Sequence, residues 1–182
     1  GGGYTYHDSA VLIGRWNQAE HIEWTVSERI VGDPKRTTRG VLEPTIAQFA
    51  DGRILMVMRG SNHRRPELPG HKWFSVSTDA GRTWSLPEPW TYDDDRPFHS
   101  PSSCSQLLRH SSGRFYWIGN ISPENPRGNL PRYPLVVGTV DPTTLRLRRE
   151  SLYTIDTRRP DDSQQLQISN FLAREDRETG HL

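Results

Sequence analysis

The stretch SVSTDAGRTW, residues 75–84, reads as a strand that enters a tight turn and leaves it as a second strand. Asp79 is placed to accept backbone N–H groups across the turn, and Gly81 is placed to adopt a positive φ. Trp84 supplies a large apolar ring that can pack beneath the hairpin. These are structural tasks, so the stretch predicts a scaffold turn on an outer hairpin and not the catalytic centre.

The composition of the chain favours strands and turns over helices. The 182 residues suit one domain with a sizeable core. Only 32% are hydrophobic, whereas 15 Gly, 14 Pro, six Trp and six Tyr supply rigid turns and aromatic bulk. No helical periodicity competes with this interpretation, and the sequence predicts an all-β fold.

Charge and motifs exclude several classes of partner. The 23 basic and 22 acidic residues leave a formal net charge of +1, so we expect no nucleic acid partner. Cys104 is the one cysteine, and the chain has no phosphate-binding glycine loop or H-E-x-x-H motif, so we expect no cofactor and no metal. No apolar run approaches the roughly 18 residues of a membrane span, and residues 1–9 lack signal-peptide features.

Two kinds of hairpin alternate along the chain. The first kind occupies 43–60, 103–120 and 166–182, and its turn glycines, Gly52, Gly113 and Gly180, are 61 and 67 residues apart. The second kind occupies 10–30, 72–90 and 133–155, each around a polar turn. Residues 54–58 are apolar on both faces, as an inner strand between neighbouring sheets requires, whereas 145–148 alternate like an outer strand. Inner and outer hairpins together predict the four-stranded antiparallel blades of a β-propeller.

The predicted organisation is one propeller domain over 1–182 with about three blade-equivalents. It divides into an outer hairpin of a first blade (1–30), a second blade (42–91), a third blade (101–155) and the start of a fourth (164–182). A closed ring usually takes four to eight blades. We therefore expect either a piece of a longer protein or a chain that self-associates through its open blade edges.

The residues of the opening stretch match S-x-D-x-G-x-T-W, the Asp box. Together with residues 43–59 and 100–120, this box resembles the bacterial sialidase or neuraminidase-like superfamily. That resemblance implies a propeller that is six-bladed when complete. It also implies an exo-glycosidase that removes sialic acid, although relatives include trans-sialidases, other glycosidases and lectin-like binders. The sequence leaves the compartment open, while the resemblance favours a secreted or periplasmic protein.

In a propeller, the loops that enter the inner strands and link the hairpins open on one face. Here these loops are 31–43, 59–72, 92–102, 119–133 and 157–166, the polar and Gly/Pro-rich parts of the chain. The resemblance implies three arginines on a substrate carboxylate, a Tyr–Glu nucleophile and an aspartate acid/base. By loop position the arginines are Arg39, Arg59 and Arg132, although loop arginines are often only solvated. No tyrosine can be assigned as nucleophile.

The carboxylates predicted to be catalytic are Glu43 and Asp95. Glu43 precedes Pro44 at the mouth of an inner strand, where it could equally hold an arginine or cap the blade. Asp95 ends a run of three aspartates that also reads as a solvated turn. The other predicted substrate-binding residues share the same class of loop: Asn62, His63, Lys72, His99 and Asn120.

Three functions remain open from the sequence. The first is an exo-sialidase-like glycoside hydrolase that acts on a glycan at the axial mouth of the propeller. The second is a non-catalytic propeller that binds carbohydrate or protein. The third is an open blade array that functions only as an assembly.

Overall fold

A computed structural model describes residues 5–182, and within that range the fold is all-β, as predicted. The elements are β1 (Leu12–Trp16), β2 (Ile22–Val26), β3 (Leu42–Gln48), β4 (Ile54–Arg59), β5 (Lys72–Ser77), β6 (Glu88–Pro89), β7 (Gln106–Arg109), β8 (Phe115–Asn120), β9 (Leu135–Thr139), a short 3-10 helix (Arg149–Ser151) and β10 (Tyr153–Asp156). Over 5–182, no helix has the length and apolar content that crossing a bilayer would need.

The strands form one two-stranded and two four-stranded sheets, all antiparallel. The first full sheet has the order β3-β4-β5-β6 and the second the order β10-β9-β8-β7, so in each the strands follow chain order across the sheet. This is the predicted blade architecture, with an inner hairpin followed by an outer one. The fold class is therefore confirmed, while the division at the predicted blade boundaries stays a prediction.

The main core lies between the two four-stranded sheets. Leu55 and Val57 of β4 are fully buried, and they share an apolar cluster with Trp117 of β8. Phe49 stacks on Phe115 with ring centroids 4.0 Å apart, which joins the turn ends of β3 and β8. Burying a large aromatic or aliphatic side chain contributes about 1.5–3 kcal/mol, so this seam dominates the stability of the sheet pair.

The Asp-box turn forms as predicted. One carboxylate oxygen of Asp79 accepts the backbone N–H groups of Arg82 and Thr83 at 3.1 and 3.0 Å, and these and other hydrogen bonds lower the pKa of Asp79 to about 2. Gly81 has φ +84°, and Trp84 packs against the second apolar cluster. The turn therefore stabilises the outer hairpin of the first full sheet.

The predicted outer hairpin of the first blade is present as β1 and β2. Its turn is closed by the Asn17 N–H, which donates to His21 O at 2.9 Å. Leu12 pairs with Val26 and Trp16 with Ile22, so these side chains lie on one face of the sheet. Trp16 and Val26 are 73% and 66% exposed, because none of the described residues covers that face.

The segment 164–182 differs from its predicted strand structure. It contains no strand, and Asn170 has φ +60°, which interrupts an extended chain. The segment lies against β7 through one side chain, because the Gln106 amide exchanges hydrogen bonds with the backbone of Ala173. The turn at Gly180 does form, with φ +68°. At the other end, residues 1–4 of the predicted first blade lie outside the described residues.

Candidate functional site

Arg59 ends β4 and is the centre of a charged cluster. Five of the six residues of β4 are buried, and Arg59 itself is only 9% exposed. Its Nη1 donates to both carboxylate oxygens of Glu43 at 2.7 Å, and its Nε donates to Ser102 Oγ at 2.8 Å. Its Nη2 reaches Asn129 Oδ1 at 3.3 Å. One strand and two loops therefore fix the guanidinium plane.

Glu43 is aimed at Arg59 by an irregularity in β3. The register between β3 and β4 shifts by one residue between Leu42 and Thr45, which marks a bulge. Glu43 lies in this bulge with φ +47°, an unusual value for a non-glycine residue that precedes a proline. Strained backbone of this kind persists where the surroundings enforce it, and it is frequent at functional sites. The Glu43 side chain is 47% exposed, so solvent reaches the carboxylate beside the buried arginine.

Lys72 is the cross-strand partner of Arg59 and begins β5. It is 0% exposed, and its Nζ donates to the backbone carbonyl of Ser103 and lies 3.4 Å from Pro101 O. Burial, followed by repulsion from Arg59, lowers the pKa of Lys72 to about 7. A buried amine that titrates near neutrality is typical of functional sites, although structural clusters produce it too.

Arg132 completes the cluster from the loop between β8 and β9. Its Nη2 donates to Ser102 O at 3.0 Å, and its Nη1 lies 3.3 Å from Ser169 Oγ. Its Nε is buried and has no hydrogen-bond partner in the described part of the chain. Desolvation, followed by the charge of Arg59, lowers the pKa of Arg132, which places the two guanidinium groups within electrostatic reach of each other.

The cluster combines three basic side chains with one carboxylate, so it attracts anions. Arginine is suited to binding a carboxylate because its planar fork donates two parallel hydrogen bonds. Arg39 lies beside the cluster: with Glu43 it lines a cleft of about 460 Å³, and its buried Nε has no hydrogen-bond partner in residues 5–182. The structure thus brings together five predicted residues: Arg39, Glu43, Arg59, Lys72 and Arg132.

Two predicted residues are buried and bonded to backbone instead. Asn62 is 1% exposed, donates to Leu68 O and Pro126 O at 2.8 Å, and accepts the Gly128 N–H. Asn120 is 0% exposed and donates to Pro134 O at 3.2 Å and Ile168 O at 3.0 Å. Both amides tie loops together at the ends of inner strands, and their predicted ligand contacts stay predictions.

The two predicted histidines have contacts of a different kind. His63 is exposed and packs against Gly128. His99 lines a separate cleft of about 430 Å³ formed also by Phe98 and Pro134.

Asp95 has different surroundings from Glu43. It is exposed with φ +62°, its N–H donates to Tyr92 O, and its charge acts on Arg146 in the segment before β10. Within residues 5–182, none of these contacts is shared with Glu43 or Arg59.

Sequence reasoning missed the residues that orient the two arginines. Ser102 holds Arg59 through its hydroxyl and Arg132 through its carbonyl, and Asn129 contacts the far end of Arg59. Ser103 supplies the carbonyl for Lys72. The signal available was the Ser-Pro-Ser-Ser run at 100–103, which overlaps the end of the predicted site-facing loop 92–102.

The comparison with family models agrees with this architecture. The model of the BNR repeat-like domain matches residues 5–152, which is most of the chain. The chain belongs to this family. The resemblance to the sialidase superfamily, which the Asp box in residues 75–84 indicated, is therefore confirmed at the level of the superfamily. None of the curated proteins matches the sequence significantly.

Two solved structures show the fold of these BNR repeats in larger proteins. A point mutant of NanB sialidase from Streptococcus pneumoniae is 22% identical with a TM-score of 0.53, over 84% of this chain and 21% of that one. Xylan beta-1,4-xylosidase from Bacillus halodurans C-125 is 12% identical with a TM-score of 0.50, over 84% of this chain and 30% of that one. The chain thus spans less than a third of either structure, and both likenesses establish the fold alone.

Proposed function

We propose that this chain contributes the anion-binding part of a glycoside hydrolase of the sialidase superfamily, with exo-sialidase-like action on an acidic glycan. The observation that carries the proposal is the Glu43–Arg59 pair with Lys72 and Arg132 beside it. Glu43 is half-exposed and paired with Arg59, and its charge also acts on Lys72 and Arg132. A sugar carboxylate is the substrate group that such a cluster would bind most strongly.

In the proposed complex, the glycan carboxylate lies against the cations that Glu43 leaves free. Arg59 Nη1 is occupied by Glu43, so the ligand would use the remaining N–H of Arg59 Nη2 and the terminal N–H groups of the partly exposed Arg132 that Ser102 and Ser169 leave free. Glu43 would fix the plane of Arg59 and present its exposed side to substrate hydroxyls or to a transferred proton. The predicted acid/base role of Asp95 is not part of this proposal, because Asp95 shares no described contact with Glu43 or Arg59.

The test uses the full-length protein that contains this chain. We expect it to hydrolyse chromogenic sialosides, and we expect Arg59→Ala to reduce kcat/KM about 10- to 100-fold, since hydrogen bonds to a charged group are worth about 1.5–3 kcal/mol. Arg127→Ala is the matched control, because Arg127 is an exposed arginine of the loop between β8 and β9. Equal loss in both variants, or no turnover of any sialoside or other acidic glycoside by the folded parent, rejects the proposal.

A non-catalytic carbohydrate-binding propeller is the second candidate. It is favoured by one observation: Glu43 is bonded by both oxygens to Arg59, whereas glycosidases use a pair of carboxylates flanking the bond that they cleave. Saturable binding of N-acetylneuraminate without turnover, lost on Arg59→Ala, would select this function over hydrolysis.

Self-association through the open sheets is a third candidate. The exposed face of β1 and β2 carries Trp16 and Trp24, and Tyr153 and Leu172 are exposed at the opposite end of the strand series. Sedimentation of this chain over a range of concentrations tests it. A discrete oligomer abolished by Trp16→Ser with Trp24→Ser supports assembly, and a monomer at all concentrations excludes it.

A further inference from the structure

The segment 101–103 connects the three cations of the cluster. Its middle residue, Ser102, contacts both arginines: the hydroxyl accepts from Arg59 Nε at 2.8 Å and the carbonyl accepts from Arg132 Nη2 at 3.0 Å. All three residues of the segment are buried. Ser102 therefore links the two guanidinium groups, and its position contributes to their relative orientation.

Lys72 contacts the residues on both sides of Ser102. Its Nζ donates to Ser103 O and lies 3.4 Å from Pro101 O and 3.5 Å from Ser103 Oγ. An ammonium group has three donors, and charge-assisted hydrogen bonds are the stronger kind. The side chain is 0% exposed, and its described acceptors are these three oxygen atoms of the segment.

We propose that Lys72 is a positioning residue: its side-chain nitrogen holds segment 101–103 where Ser102 orients Arg59 and Arg132 for binding an anion. The proposal reassigns Lys72 from a direct ligand contact to a group that acts through Ser102. The part concerning the anion rests on the proposed function, whereas the orientation of the arginines can be observed without any ligand.

The charged groups around Lys72 make this arrangement sensitive to pH. Arg59 and Arg132 lower the pKa of Lys72 by repulsion, while Cys104 and Glu43 act in the opposite direction. Loss of the proton removes one positive charge from the cluster and leaves an amine with two donors and no charge assistance. Anion affinity should then fall as the pH rises through the pKa of Lys72, which burial has lowered to about 7.

The first experiment measures the wild-type protein alone. Lys35 and Lys72 are the only lysines of the sequence, so two ammonium signals in ¹⁵N-lysine NMR report both titrations, and Lys35 is an exposed internal standard. Calorimetry follows N-acetylneuraminate from pH 5.5 to 8.5, with its methyl ester as the uncharged control. We expect affinity to fall about 10-fold across the titration of Lys72. Affinity that stays constant while Lys72 titrates overturns the link to anion binding.

The second experiment separates positioning from a merely structural role. In the crystal structure of Lys72→Met, we expect the Ser102 hydroxyl or carbonyl to move out of hydrogen-bond distance of Arg59 or Arg132, whereas Lys35→Met leaves both hydrogen bonds intact. If both hydrogen bonds persist in Lys72→Met, the positioning role is overturned, whether or not N-acetylneuraminate binds.

Two further outcomes are distinguishable. If the wild-type protein does not bind N-acetylneuraminate but Lys72→Met still releases Ser102 from an arginine, the result counts against the proposed function alone. If Lys72→Met does not fold, Lys72→Arg, which keeps the charge and the donors, is expected to retain both hydrogen bonds of Ser102. Their absence in that variant contradicts the proposal.

Discussion

The axial ends of the two full sheets occupy equivalent positions and contain opposite chemistry. In the first sheet β4 ends in Arg59, which pairs with Lys72 across the ladder. In the second sheet β8 ends in Asn120, which pairs with Leu135. Arg59 and Lys72 meet a carboxylate, two serines and a second arginine, whereas Asn120 is 0% exposed and bonded to the backbone of two loop residues. One blade end forms a candidate site and the other fastens two loops.

The difference teaches that a strand position in a repeat does not determine a role by itself. Both residues follow a buried inner strand, and both were predicted to contact ligand. The bulge at Glu43 brings a carboxylate to Arg59, so the cation is paired in a buried place. The Asn120 amide donates to two backbone carbonyls instead, although its buried Oδ1 has no partner in the part of the chain described.

The largest effect is expected when Asn120, at the end of β8, is replaced by arginine, the residue at the end of β4. Asn120→Arg places an unpaired cation at a fully buried position, so we expect it to lower the free energy of unfolding by about 4 kcal/mol or more, or to prevent folding. Urea denaturation measures the loss, and Gln167→Arg, at an exposed position, is the control. A stable Asn120→Arg protein that binds N-acetylneuraminate more tightly would contradict the contrast between the two ends.

The next effect concerns the charge of Lys72. Its pKa in the folded protein is about 7, against an ordinary value of 10.5, so between these pH values the unfolded chain binds a proton that the folded one does not. Stability contributed by this group therefore rises with pH through that window and is lowest below pH 7. The unfolding free energy of the wild type minus that of Lys72→Met should increase by about 3 kcal/mol between pH 6.5 and 9. A difference that stays constant with pH would show that Lys72 is not desolvated.

A smaller effect is expected when Arg59, at the end of β4, is replaced by asparagine, the residue at the end of β8. Arg59→Asn removes the charge-assisted hydrogen bonds to Glu43 and the cation available to a ligand. We expect binding of N-acetylneuraminate to weaken about 30-fold, which corresponds to about 2 kcal/mol. Arg127→Asn should bind like the wild type in the same calorimetric titration. Unchanged affinity in Arg59→Asn would place the anion elsewhere.

The smallest effect is expected at Asp95. This residue is exposed, and its described contacts are with Tyr92 and with the field of Arg146, not with the cluster. Asp95→Asn should therefore change kcat/KM of the full-length protein less than about twofold, whereas Glu43→Gln should reduce it about 10-fold by weakening the hold on Arg59. A large loss in Asp95→Asn would support the predicted acid/base role of this residue.

The local patterns predicted most of the fold. Residues 54–58, apolar on both faces, indicated a buried inner strand, and Asp79 with Gly81 indicated the turn of the outer hairpin, because such signals depend on neighbours in the chain. The strands predicted in 164–182 were wrong, since Asn170 adopts a positive φ and interrupts the extended chain. Loop positions in the sequence predicted that Arg59 and Glu43 lie on the same face of the propeller. The two side chains do meet in the structure, while their role in binding stays a prediction.

The sequence by itself determined the antiparallel hairpins, their order and the loops that carry charge, because strand periodicity and turn residues act over a few positions. Only the tertiary structure decided that Ser102 joins Arg59 to Arg132, that Lys72 is buried beneath them, and that Asn120 is not part of the cluster. Hydrogen bonds and desolvation between residues far apart in the chain depend on how the two sheets pack, and no local pattern records that packing.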